Sequence, residues 1–323
     1  MISTITLNPC RDRTVVIPSL TVGGLNRVDK TIDDMCGKGV NVSTVLHNLG
    51  ADTVCLGFIF EQGADELTDA LAAKGLRHDF VRVPGKIRTN LKIFEAETRR
   101  MTEINESGSF VPEEYIAALR EKVRKYAKDS EIVVISGSAP PGVGAQFYGE
   151  LTGLCREANP HVTVALDADG DLLRNGVAGR PDFLKPNLYE LEKLLNKKIG
   201  GFPLEKQENH IKADEIVQSC EELARASGAS MICVSMGADG ALLWSSGRAF
   251  YAAAPDVEVR SLQGAGDSML AGLCAARAGG RPPEDMLRWA CAAAGGSIIH
   301  EGTELCGKRD FEELYGKIRI AAL

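Results

Sequence analysis

Short runs of apolar and β-branched residues alternate with longer amphipathic stretches along most of this chain, and that alternation constrains the fold more than any single motif. Ser3–Leu7, Thr53–Phe58, Glu131–Ser136, Val162–Asp167, Asp182–Lys185 and Ser230–Ser235 read as buried strands. Between them Val40–Leu49, Ala64–Lys74, Pro112–Ala127, Gln146–Arg156, Glu190–Leu195 and Asp214–Ala226 carry helical periodicity, and from Ala265 onward the tail reads as helix after helix. Strand–helix alternation predicts an α/β fold: a mostly parallel sheet with helices on both faces. Such sheets bind ligands at the carboxyl ends of their strands. No repeat, low-complexity tract or linker divides the 323 residues, so a single domain spanning 1–323 is expected.

Two segments break the pattern. Arg13–Ile17 with Asn26–Ile32, and Ile87–Glu95 with Arg100–Asn105, alternate apolar and polar residues as half-exposed antiparallel strands do. They predict a small, discontinuous β flap, formed by about residues 12–33 and 86–106, lying over the binding face or against a second copy.

Composition excludes several classes of function. Lys plus Arg number 37 against 44 Asp plus Glu, a net charge of -7, which gives no general reason to bind nucleic acid. No run approaches the roughly 20 apolar residues of a membrane span. The first residues lack a basic, then apolar, leader, so cytoplasm is the expected compartment. Nine scattered cysteines without a C-x-x-C, and five dispersed histidines, predict neither a disulfide framework nor a Cys/His metal cluster.

Five motifs carry chemistry. Gly264-Ala-Gly266 opens a helical run, so its free amides point toward an anion; Asp267 beside them is either a proton acceptor or a helix cap. Cys36-Gly-Lys-Gly-Val-Asn41 places small residues and an amide at the mouth of another helix. Ser136-Gly-Ser138 ends a strand with hydroxyls suited to phosphate or sugar, and is equally a rigid loop. In Lys185-Pro-Asn-Leu-Tyr-Glu190, Asn187 and Glu190 share a helical face and would suit hydrated Mg²⁺, or Glu190 is a solvated helix-start acid. Arg88, Asn90 and Lys92 share a strand face by the period of two, for an anion or as a salt-bridged surface.

Taken in order, these motifs resemble the ribokinase-like (PfkB) family of sugar kinases, from Thr6-Leu-Asn-Pro9 with Asp12 through the last helices. Arg88-x-Asn-x-Lys92, Thr102-Glu-Ile-Asn105 and Ser136-Gly-Ser138 resemble its hexose-phosphate branch. The resemblance implies ATP-dependent phosphorylation of a ketohexose phosphate, fructose 1-phosphate first, with tagatose 6-phosphate or fructose 6-phosphate as alternatives. It implies Asp267 as base and the amides of Gly264, Ala265 and Gly266 as anion hole. Asp12, Gly39 and Asn41 would bind sugar hydroxyls. Arg88, Ser138, Lys38 and Arg27 would bind the substrate phosphate, with Gly37 and Asn90 completing the substrate set. Lys185, Asn187, Ser235, Gly237 and Gly240 would serve ATP, and Glu190 would order Mg²⁺ through water. A homodimer joined through the β lid is also implied. Cys36, the Cys10-Arg11 pair, Gln263 and Ala168-Asp169-Gly170 depart from the family pattern. A non-catalytic sensor would not need Asp267, and a kinase for an unphosphorylated sugar or nucleoside would leave Arg88 and Lys92 facing no anion.

Overall fold

The computed structural model describes residues 1–199, 209–302 and 304–323, with the side chains of 209–212 outside the description. In chain order the elements are β1 (Ile2–Thr6), β2 (Cys10–Ile17), β3 (Lys30–Cys36), α1 (Lys38–Asn48), β4 (Thr53–Gln62), α2 (Ala64–Ala73), β5 (Arg77–Lys86), β6 (Arg88–Glu95), β7 (Arg100–Asn105), α3 (Glu113–Ala127), β8 (Ile132–Ser136), α4 (Phe147–Ala158), β9 (Thr163–Asp167), α5 (Gly170–Ala178), β10 (Phe183–Leu184), α6 (Leu188–Leu195), α7 (Asn209–Ser227), β11 (Met231–Ser235), β12 (Ala241–Ser245), β13 (Arg248–Ala252), α8 (Ala265–Ala278), α9 (Pro283–Ile298), α10 (Lys308–Tyr315) and β14 (Ile320–Ala322).

Ten strands form the main sheet in the order β14-β13-β12-β11-β10-β9-β8-β1-β4-β5. From β5 to β11 neighbouring strands run parallel, while β12, β13 and β14 pair antiparallel. One face packs against α2, α3 and α4, the other against α1, α8 and α9, each over its own apolar cluster. β1 is buried along its whole length. Two of its polar side chains are satisfied inside: Ser3 Oγ lies 2.8 Å from Ser130 Oγ and Thr4 Oγ1 2.8 Å from Ser43 Oγ, while Thr6, at its carboxyl end, opens on the cleft. A strand buried on both faces needs such pairs, because an unpartnered hydroxyl there costs about 1–3 kcal/mol. Among the described residues no helix is long and apolar enough to cross a membrane.

A second sheet of four strands, ordered β3-β2-β6-β7, stands apart from the first. Here β2 and β6 run parallel, with Cys10 beside Arg88 and Asp12 beside Asn90, where antiparallel pairing throughout was expected. The cause is topological: β2 continues from β1 and β6 from β5, and those two strands point the same way in the main sheet. β3 begins at Lys30, not Asn26. Asn26 holds a turn instead, accepting from Thr21 N at 2.8 Å and donating to Thr21 O at 2.9 Å.

The tail is not wholly helical, since β14 closes it as an edge strand on β13. Four further elements escape the sequence reading. β5 is masked by charge, and α5 is short. The β12–β13 hairpin turns through Ser246 and Gly247, at φ 47° and 85°, the doubly positive geometry of a two-residue turn.

Candidate active site

A cleft of about 620 Å³ opens where the carboxyl ends of β1 and β8 meet the second sheet and the first turns of α1 and α8. Asp12, Gly37, Lys38, Asn41, Arg88, Asn90, Ser138, Gly264 and Asp267 all line it, joined by Lys92. Glu103 and Asn105 of the Thr102–Asn105 motif reach it from β7.

Asp267 sits in the first turn of α8, whose preceding residue, Gly264, supplies no side-chain cap. Gly264 has φ 71° and a Cβ there would meet Leu305 Cδ2 at 2.4 Å, so only glycine brings the helix start to this place. Uncapped amides and the helix dipole together favour an anion at that point. Asp267 is buried, and burial pushes its carboxyl up to about 6; Lys38 and a 2.7 Å hydrogen bond from Asn41 Nδ2 to Oδ2 act against the rise. Oδ1 remains for another partner. The helix-cap alternative fails, because no cap hydrogen bond from Asp267 forms at α8.

Asp167, at the end of β9, ties the cations together. Lys185 Nζ lies 3.4 Å and Lys38 Nζ 3.5 Å from Asp167 Oδ1. Burial would raise the Asp167 carboxyl, but these two ammonium groups hold it below the usual range. Lys38 is correspondingly raised, first by Asp167. A Cβ on Gly266 would stand 3.4 Å from Lys185 Nζ, which puts that cation against the start of α8. Asp167 went unrecognised in the sequence because it reads as the last residue of a strand.

On the second sheet, Asn90 Nδ2 donates to Asp12 Oδ1 at 2.9 Å and Lys92 forms a buried ion pair with Oδ2. Burial alone would raise the Asp12 carboxyl; Lys92 and the bonds from Asn90 and Cys10 outweigh it and hold Asp12 below the usual range. Lys92 is thus an ion-pair partner as well as a member of the cationic face. Arg88 donates to the carbonyl oxygens of Asn8 at 3.2 Å and Glu106 at 3.1 Å.

Other expected residues fall elsewhere. Gly39 does not line the cleft: a Cβ there would lie 2.5 Å from Thr6 Oγ1 and 2.8 Å from Ile5 O, so it lets α1 pack closely on β1. Arg27 is exposed on the connection between β2 and β3 and lies outside the cleft lining. Ala265 and Gly266 also lie outside the lining, with only their neighbours Gly264 and Asp267 reaching it. Asn187 Oδ1 accepts from Glu190 N, and Glu190 Oε2 accepts from Asn187 N, both at 2.8 Å. That capping box engages both residues in starting α6, leaving Glu190 Oε1. Burial, then Asp167, raises the Glu190 carboxyl, while its bond to the Asn187 amide lowers it. Ser235 bridges to Asn187 through its amide, 3.1 Å from Pro186 O, and Gly237 and Gly240 bracket the turn that follows β11. Gly240, at φ 87°, leaves no room for a side chain, since a Cβ would lie 2.0 Å from Ala252 O. These residues form a neighbouring surface and do not line the cleft.

Buried polar atoms without a protein partner concentrate at this place. Thr6 Oγ1, Asn8 Oδ1, Asn90 Oδ1, Ser136 Oγ and Gln263 Oε1 belong to cleft-lining residues, and Asp167 Oδ2 belongs to the carboxylate that pairs with cleft-lining Lys38 through Oδ1. Such atoms are costly unless a ligand meets them.

Fold and site together define a phosphate-handling enzyme of the ribokinase-like class. The chain belongs to the pfkB family of carbohydrate kinases, whose family model matches residues 6–309. It is 34% identical to the 1-phosphofructokinase of Rhodobacter capsulatus over 305 residues, 94% of this chain and 92% of that protein. It is 32% identical to the 1-phosphofructokinase of Borreliella burgdorferi over 321 residues, 99% and 98% of the two. Among solved structures it is similar to phosphofructokinase-2 from Escherichia coli in complex with fructose-6-phosphate, with 25% identity, a TM-score of 0.86 and 98% of both chains covered. The resemblance drawn from the motifs is borne out.

Proposed function

We propose that this protein transfers the γ-phosphoryl group of ATP to the C6 hydroxyl of fructose 1-phosphate, giving fructose 1,6-bisphosphate. The observation that carries the reading is the convergence, on one cleft, of a buried carboxylate at a helix start, Asp267, with a cationic strand face at Arg88. The names of the relatives support the choice of sugar phosphate.

In this reading Arg88, Lys38 and Ser138 take the 1-phosphate, and Asp12, fixed by Asn90 and Lys92, accepts from sugar hydroxyls. Asp267 Oδ1 takes the C6 hydroxyl proton as that oxygen bonds to the γ-phosphorus and the bond to the ADP oxygen breaks. The amides of Gly264, Ala265 and Gly266, with Lys185, receive the charge that develops on the transferring group. The surface from Lys185 through Asn187 to Ser235, Gly237 and Gly240 binds the nucleotide. Asp167 Oδ2, buried without a partner, and Glu190 offer the hard carboxylate oxygens that Mg²⁺ prefers, and the residues fit it. Bound there through water, the ion would neutralise phosphate charge. The four-stranded sheet acts as a lid on one kinase domain, and a second copy pairs with it over Val22 and Leu25 of the β2–β3 connection and Ile104 of β7, all exposed.

Arg88→Ala tests the substrate class. Loss of charge-assisted bonds worth about 1.5–3 kcal/mol raises KM for fructose 1-phosphate about 10- to 100-fold, while KM for ATP moves far less. An unchanged sugar-phosphate KM in an intact oligomer would place the phosphate elsewhere.

A further inference from the structure

The departures at Cys10 and Cys36 meet in space. The two residues face one another across the antiparallel β2–β3 ladder, with Sγ atoms 3.5 Å apart. Cys10 Sγ lies 3.2 Å from Asp12 Oδ1. All three side chains are buried, all line the cleft, and their donor atoms lie within 4.8 Å of one another. Among the described residues no other group of three Cys, His, Asp or Glu side chains converges in this way.

We propose that Cys10, Cys36 and Asp12 form a three-ligand site for a thiophilic divalent cation, zinc foremost, whose occupancy excludes the sugar. With Zn–S near 2.3 Å and Zn–O near 2.0 Å, a tetrahedron has S···S and S···O edges of about 3.7 and about 3.5 Å. The Cys10–Cys36 and Cys10–Asp12 separations differ from those edges by only a few tenths of an ångström, and the third edge lies within 4.8 Å. A disulfide would need the sulfurs about 1.5 Å closer. Charge also balances. The cation brings two positive charges and the two thiols release two protons, so the buried Asp12–Lys92 pair sees no net change. The fourth position faces the cleft and is open to water, as in sites that exchange a ligand. An ion held there takes Asp12 away from the sugar.

The competition rests on the proposed sugar-phosphate kinase reading, whereas the binding itself does not, so two measurements separate their failures. First, the full-length protein is titrated with Zn²⁺ at buffered free concentration, with bound metal and released protons counted; Cd²⁺ then serves as a probe for the ultraviolet thiolate-to-metal band. One ion per chain, about two protons released and a thiolate band are expected. Cys10→Ser and Cys36→Ser, confirmed as folded by thermal melting, should each weaken Zn²⁺ binding by more than about tenfold, the least that loss of even a supporting partner costs. Second, Zn²⁺ should raise KM for fructose 1-phosphate and leave kcat unchanged, reversibly with EDTA. Undiminished binding in both serine variants, or no thiolate band, overturns the site. Binding with the expected signature but without competition overturns the exclusion of the sugar. Inactivation reversed by dithiothreitol and not by EDTA, with the mass lowered by a pair of hydrogens, makes the pair a disulfide and overturns the proposal as well.

Discussion

Asp267 is asked to hold a proton during turnover, and its surroundings bring it near neutrality. Because its carboxyl is pushed up to about 6 by burial, the basic form predominates above that pH and is lost below it. The rate should therefore fall on the acid side with an apparent pKa near 6. Asp12, held below the usual range, stays ionised throughout and adds no limb there. Lys38 lowers Asp267, so Lys38→Met should move the limb upward as well as weaken phosphate binding. Asp267→Asn keeps the size and the contact with Asn41 but removes the base. We expect kcat to drop about 10²–10⁴-fold, with substrate binding by calorimetry largely retained. Near-wild-type turnover would reduce Asp267 to a structural residue of α8. At this scale the sequence was informative where function and glycine geometry coincide, as at Gly264–Asp267. It was silent on Asp167, whose role depends on Lys38 and Lys185, which only the fold brings to it. It also could not show that Cys10 faces Cys36, a matter of strand register.

At the scale of elements, Glu190 has two duties that can be separated. Gln at the third helical position sustains a capping box as Glu does, so Glu190→Gln should leave the melting temperature unchanged. Glu190→Ala also removes the Oε2 acceptor of the Asn187 amide, half of the capping box, at a cost of about 0.5–1.5 kcal/mol. If Glu190 orders Mg²⁺, both variants need more Mg²⁺ for half-maximal rate, read from a Mg²⁺ titration; an unchanged titration in Glu190→Gln leaves only the cap. The same scale shows which strands were legible. β1, β4, β8, β9 and β11 are short runs of mainly apolar and β-branched residues buried on both faces over most of their length, which is what made them readable. β5 is the sheet edge, and an edge tolerates Arg77, Asp79, Arg82 and Pro84, which made it look like a loop. The β12–β13 hairpin did carry a signal, Ser246-Gly247 between apolar runs, that went unread. The parallel β2–β6 pairing was illegible, because direction is inherited from β1 and β5 and not written in the strands themselves.

For the whole molecule, the apolar side chains of the connection between β2 and β3 are poorly settled in water. Val22 is 89% and Leu25 78% exposed on the connection between β2 and β3, and Ile104 is exposed on β7. A solvated monomer has little reason to present them. Leu25→Asp should halve the mass seen by light scattering at micromolar concentration while leaving the main sheet's melting transition in place. A wild-type protein that already runs as a monomer would remove the interface. The separate four-stranded sheet was foreseeable as a break in strand–helix alternation; that Arg27 falls outside the cleft lining was not, since a loop's path has no periodicity to read.

The account turns on one measurement: ADP release by the purified protein with fructose 1-phosphate, fructose 6-phosphate, tagatose 6-phosphate and fructose, each over a full concentration range. The proposed reading predicts the highest kcat/KM for fructose 1-phosphate, and the phosphate contacts assigned to Arg88 predict that fructose without a phosphate falls at least about tenfold below it. Equal or higher kcat/KM for unphosphorylated fructose, or no ADP release with any phosphorylated ketohexose, would contradict it.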